Sequence, residues 1–303
     1  MKARATLCRE HRTNRAEPDV PDNPHASTIV GRVDVFHLQR DGERRAIRIY
    51  VPPDYESTSR HYPVIYMFDG HNLFDRRTSS YDQEWCVDET MERLYDEDPT
   101  LPAIVVGVDP DPATVARYRE YSIGRWELPE LIDSPHPETI VGAGQITADF
   151  LIHQVKPWVE ANYRISTDRL DTAIAGSSMG GYMSLLLGAQ YPEVFHKVLA
   201  FSPAILDYPM RSENLRELVR TSDASKSQRV YLDMGSAEQL EYIDHTTELT
   251  DSLEPMRQAL LASGRSDVTI RIIPGATHDE TAWARRFAEV FMWAFYDRQL
   301  SDQ

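Results

Sequence analysis

Two hydrophobic rhythms alternate along the chain after its first 28 residues. Short runs rich in β-branched and aromatic residues predict eight strands, at 29–38, 45–51, 64–68, 103–108, 172–175, 198–201, 230–232 and 268–273. Segments of helical period predict helices over 87–94, 146–162, 179–191, 253–263 and 281–298. The first two strands are joined through Asp41-Gly42, a hairpin signal that makes the pair antiparallel. Strand–helix alternation beyond them predicts a mostly parallel sheet with helices on both faces, hence an α/β fold. In the helix at 146–162, Ile146, Phe150, Val155 and Val159 fall on one side, and Pro157 should bend it.

Residues 1–28 carry no periodicity and read as a flexible N-terminal arm; 29–303 read as a single domain, since no repeat or change of composition divides it. Two long connections, 109–145 and 202–228, are the natural places for a binding surface.

Composition narrows the classes of partner. The 303 residues are 41% hydrophobic with a net charge of −16, enough for a large core and unsuited to nucleic acid. The same charge weakly disfavours polyanionic substrates. No apolar run suits a secretion signal or a membrane span, so an unexported, cytoplasmic protein is expected. The two cysteines, Cys8 and Cys86, lie far apart in sequence; they fit a reducing compartment, and no disulfide between them is expected. The ten histidines form no HExxH, and paired Cys-x-x-Cys motifs are absent, so a zinc site is not expected. Self-association is left open.

The candidate chemistry centres on Gly176-Ser177-Ser178-Met179-Gly180, a GxSxG frame between a predicted strand and a predicted helix. A serine on so sharp a turn needs small residues two positions either side, which Gly176 and Gly180 supply. The turn lifts the Ser178 hydroxyl above the sheet edge and puts the Met179 N–H at a helix N-terminus, where it can meet an oxyanion. A serine nucleophile needs a base and a carboxylate, in the chain order serine, acid, histidine. His196, His245 and His278 follow Ser178, and only His278 comes after the last strand, at the same sheet edge. The acid should follow the seventh strand: Glu238 is the first choice, Asp233 the second and Asp244 the third. The loop after the third strand, with Gly70, offers the N–H of His71 as second oxyanion donor. Trp85, Tyr121 and Trp126 are candidates to bind substrate.

These residues sit in "IYMFDGHNLFD" (65–75), "EWCVDETMERL" (84–94), "YREYS" (118–122), "AIAGSSMGGYMSL" (173–185), "FSPA" (201–204), "YLDMGSAE" (231–238) and "PGATHDETAW" (274–283). Jointly, over 45–298, they resemble the putative esterase family of α/β-hydrolases, which includes enterochelin-esterase-like enzymes, feruloyl and acetyl esterases of carbohydrate esterase family 1 and the related mycolyltransferases. The resemblance implies an α/β-hydrolase fold with Ser178 as nucleophile, His278 as base, Glu238 at the acid position, and the amides of His71 and Met179 as oxyanion hole. It also implies a metal-independent serine esterase without cofactor, acting on a small-molecule or carbohydrate ester such as a feruloyl or acetyl sugar or a siderophore-type lactone. An acyltransferase with the same triad, or a noncatalytic binding module, is the alternative.

Overall fold

A computed structural model describes residues 26–129, 136–206, 212–223, 227–240 and 246–301. The β-branched runs form strands β1 (Arg32–Arg40), β2 (Glu43–Val51), β3 (Val64–Phe68), β4 (Ile104–Val108), β5 (Arg125–Leu128), β6 (Glu138–Val141), β7 (Thr172–Ser177), β8 (Lys197–Phe201), β9 (Arg229–Gly235) and β10 (Asp267–Ile273). The helices are α1 (Val87–Glu97), α2 (Thr114–Glu120), α3 (Gly144–Phe150), α4 (Lys156–Asn162), α5 (Met179–Gln190), α6 (Glu213–Thr221), α7 (Thr246–Asp251), α8 (Leu253–Ala262) and α9 (Glu280–Tyr296).

Eight strands build one sheet in the order β1-β2-β4-β3-β7-β8-β9-β10. β1 and β2 pair antiparallel, as do β2 and β4, and every later neighbour is parallel. This is the expected α/β-hydrolase arrangement. Alternation along β3 divides the core: Val64, Tyr66 and Phe68 pack with residues of α3–α5, α6 and α8, whereas Ile65 and Met67 pack with residues of α1 and α9 on the other face. Because β3 and β7 to β10 run in one direction, the segments leaving them all emerge at one rim.

The structure departs from expectation in several places. The helix expected over 146–162 is interrupted by a wider-wound π turn, Leu151–Val155, just before Pro157 in the first turn of α4; a residue without an N–H loosens the ladder there. Phe150, Val155 and Val159 are buried, but Ile146 is 48% exposed. The 109–145 connection contains α2 and a small β5–β6 hairpin. Cys86 is disulfide-bonded, which corrects the expectation of unpaired cysteines; the other cysteine, Cys8, lies outside the described residues. Ser27 Oγ donates to Asp75 (2.8 Å) and the Val30 N–H to Asp88 (2.7 Å), so the chain preceding β1 runs beside the start of α1. The cysteine argument for a reducing compartment falls with that correction. No helix among the described residues is long and apolar enough to cross a membrane.

Candidate active site

Ser178 stands between β7, whose six residues are all buried, and α5. Its backbone (φ 54°, ψ −121°) lies where side chains are disfavoured, a strain of about 1–3 kcal/mol that the surroundings must hold. They do so through its N–H to the Phe201 carbonyl (3.0 Å) and its own carbonyl, which accepts from Tyr182 (3.0 Å) and Ala204 (2.9 Å). A Cβ on Gly176 would come within 2.6 Å of the Gly180 backbone, so the turn closes only around glycine. Ser178 itself is partly exposed at the rim.

The segments after β9 and β10 are stitched together. Ser236 N–H donates to Ile273 (2.9 Å), Ala237 N–H to Ala276 (3.1 Å) and Gly275 N–H to Ser236 Oγ (2.8 Å). Across that seam His278 Nδ1 lies 2.7 Å from Glu238 Oε2, with the carboxylate side chain fully buried and the imidazole 14% exposed. The other carboxylate oxygen, Oε1, accepts from the Gly235 N–H (2.6 Å) and Ser202 Oγ (2.5 Å). Burial pushes the Glu238 carboxyl up, but the bonds from His278, Ser202 and Gly235 outweigh it and hold the pKa below its ordinary value. Glu238 is therefore an anion at neutral pH. The His278 ring stands nearly perpendicular to that of Trp283, with centroids 5.0 Å apart.

Of the other two acid candidates, Asp233 is buried but committed elsewhere, and Asp244 lies outside the described residues. Asp233 takes a bidentate pair from Arg286, the hydroxyl of Tyr231 (2.8 Å) and the Ser202 N–H (2.9 Å). Ser178 reaches the same rim through β8: its N–H holds Phe201, and the next residue, Ser202, holds Glu238. No hydrogen bond joins the Ser178 hydroxyl to His278 among the described residues.

The loop after β3 opens with Asp69 (φ 58°) and closes as a single 3-10 turn, Gly70–Asn72. No acceptor among the described residues takes the N–H of His71 or of Met179. The His71 imidazole is pushed down by burial and therefore neutral at pH 7, with Nε2 3.3 Å from Ser80 Oγ. Two contacts that sequence reasoning missed hold this turn. Arg117 grips the Asp69 carboxylate bidentately (2.7 and 2.8 Å), and Asn72 Nδ2 donates to Glu280 Oε1 (3.0 Å) at the start of α9. Asp69, Asn72 and Glu280 lie inside the quoted motifs without a role being read for them, and Arg117, one residue before the "YREYS" run, carried no sequence signal.

The three aromatic residues expected to meet substrate do not reach an open surface: Trp85, Tyr121 and Trp126 are at most 2% exposed. Trp85 packs among Phe201, Trp283 and Phe287, Tyr121 stands edge-on to Phe68 while its hydroxyl accepts from the Asp69 N–H, and Trp126 donates to Ser122 Oγ. Their large apolar area is buried in the core instead.

Residues 39–294 match the family model described as "Putative esterase". Among curated proteins the chain is 23% identical to the uncharacterized protein YbbA of Bacillus subtilis over 257 residues, 84% of this chain and 93% of that one. It is 28% identical to the ferri-bacillibactin esterase BesA of Bacillus subtilis over 188 residues, 60% of this chain and 61% of that one. Among solved structures, the siderophore hydrolase EstA from Aspergillus nidulans superposes with a TM-score of 0.67 at 20% identity, covering 93% of this chain and 98% of that one.

Proposed function

Because this chain belongs to the putative esterase family, we propose that it hydrolyses a carboxylic ester through an acyl-enzyme on Ser178. The observation that carries the reading is the 2.7 Å contact between a buried, ionised Glu238 and His278. A carboxylate at Nδ1 fixes the imidazole tautomer that leaves Nε2 free to accept a proton.

In this mechanism Nε2 takes the proton of the Ser178 hydroxyl as Oγ attacks the ester carbonyl carbon. The N–H groups of Met179 and His71 receive the negative charge that forms on the carbonyl oxygen. Nε2 returns the proton to the departing alkoxide, and the acyl group stays on Ser178. A water then gives a proton to Nε2 and attacks the acyl-enzyme; Nε2 protonates Ser178 Oγ as the acid leaves. Glu238 stays ionised throughout and offsets the charge of the transient imidazolium.

BesA and EstA, by their names, act on siderophores, and a siderophore-type ester of hydroxy acid units is the substrate class this chain takes in the proposal. The test is hydrolysis of a panel holding a hydroxy-acid trilactone, feruloyl and acetyl sugars and simple aryl esters, by wild type and Ser178→Ala. Ser178→Ala should lose on the order of 10⁶ in kcat. Turnover within tenfold of wild type refutes the nucleophile, and indifference to the trilactone refutes the substrate class.

A further inference from the structure

Ser202 follows β8 with a positive φ of 41° and is completely buried. Its hydroxyl has three partners: Trp283 Nε1 at 2.9 Å, Arg286 Nη2 at 2.9 Å and Glu238 Oε1 at 2.5 Å. An indole N–H and a guanidinium N–H can only donate, so they occupy both lone pairs of the hydroxyl. Its one proton is thereby committed to Glu238. The Gly235 N–H reaches the same oxygen, which leaves Oε2 as the face of the carboxylate turned to His278.

Arg286 can be buried there because Asp233 neutralises it, and Asp233 in turn accepts from the Ser202 N–H. Ser202 is thus clamped at its amide and at its hydroxyl by one buried ion pair. The groups facing Glu238 are the imidazole of His278, the hydroxyl of Ser202 and the Gly235 amide, with the charges of Arg286 and Asp233 behind them.

We infer that Ser202 is a positioning residue for the reaction: a one-way donor, locked by Trp283 and Arg286, that orients the Glu238 carboxylate and through it the tautomer of His278. Its strained backbone fits such a role, since strain persists where the surroundings over-determine a conformation. The inference rests on the esterase reading above.

The test is Ser202→Gly, which accepts the positive φ and removes only the hydroxymethyl group, run beside wild type and Ser178→Ala on an aryl ester. A hydrogen bond to a charged group predicts a fall in kcat of about 10- to 100-fold. KM should stay within about twofold, since Ser202 is buried away from substrate. The acid limb of the kcat profile should move to higher pH, because a carboxylate that has lost a donor holds the imidazolium proton more tightly. A purely structural role would alter stability and the yield of active enzyme without moving that limb. Wild-type kcat and acid limb in folded Ser202→Gly overturn the inference while leaving Ser178 essential. Wild-type turnover by Ser178→Ala overturns the esterase reading itself. Should Ser202→Gly not fold, Trp283→Phe decides: it leaves the hydroxyl but frees one lone pair, and a kcat loss with an unmoved acid limb counts against the inference.

Discussion

Asp233 near the end of β9 and Glu238 just beyond that strand lie five residues apart, and their surroundings differ in ways that substitution can expose. In Glu238→Gln the side chain keeps its shape, so the environment decides which way the amide faces. Oε1 accepts two donors, the Gly235 N–H and the Ser202 hydroxyl. The amide oxygen must take that place, and the NH₂ group then points at His278 Nδ1. An NH₂ can only donate, which forces the imidazole proton onto Nε2, the atom that must accept from Ser178. Loss of the charge also removes support for the imidazolium. Together these predict a fall in kcat of about 10⁴, or about 5 kcal/mol of transition-state stabilisation, with little change in KM. Asp233→Asn should behave in the opposite way: it strands the buried Arg286 guanidinium and costs about 3–5 kcal/mol of stability, while kcat per folded molecule falls far less than in Glu238→Gln. Steady-state kinetics normalised to folded protein by circular dichroism, with urea titrations of both variants, read the two effects. A Glu238→Gln enzyme within tenfold of wild-type kcat, or an Asp233→Asn enzyme that is stable but dead, refutes this division of roles.

Two further changes probe the frame around the site. A Cβ on Gly235 would sit 2.2 Å from the Ala276 carbonyl and 2.9 Å from Glu238 Cγ, so Gly235→Ala must displace the turn that carries His278; the expected cost is about 1–3 kcal/mol of stability with at least a tenfold drop in kcat, read by urea titration and kinetics. Burial pushes the Glu280 carboxyl up to about 7, so the folded state holds its proton more tightly than the unfolded one and stability declines as pH rises from its ordinary value through that point. Glu280→Gln, which can still accept from Asn72, should match wild type in urea titration near pH 4 and be more stable by about 1–3 kcal/mol at pH 8.5; equal stabilities at both pH values would show that burial does not hold the proton there.

Much of the arrangement could be read from local signals because local rules produce it. The Gly176–Gly180 frame, the Asp41-Gly42 hairpin and the β-branched runs each specify backbone geometry within a few residues, and strand count alone carried His278 to the rim of Ser178. The choice between Glu238 and Asp233 was not local. What separates them is Arg286 and Ser202, residues 53 and 31 positions from Asp233, which saturate that carboxylate and turn the other toward His278. The aromatic residues show the same limit from the other side. Nothing in the identity of Trp126 distinguishes a ring that meets substrate from one that fills the core; its burial follows from the four-residue strands β5 and β6, whose pairing spans a stretch without a hairpin signal. Sequence therefore exposes the groups proposed to do chemistry more readily than the groups that hold them in place, because the first are confined by chain geometry and the second by contacts made only after the chain has folded. Ser202 belongs to the second kind: in the strand-end run "FSPA" it is an unremarked serine, and it acquires a direction only when Trp283 and Arg286, from the last helix, occupy its lone pairs.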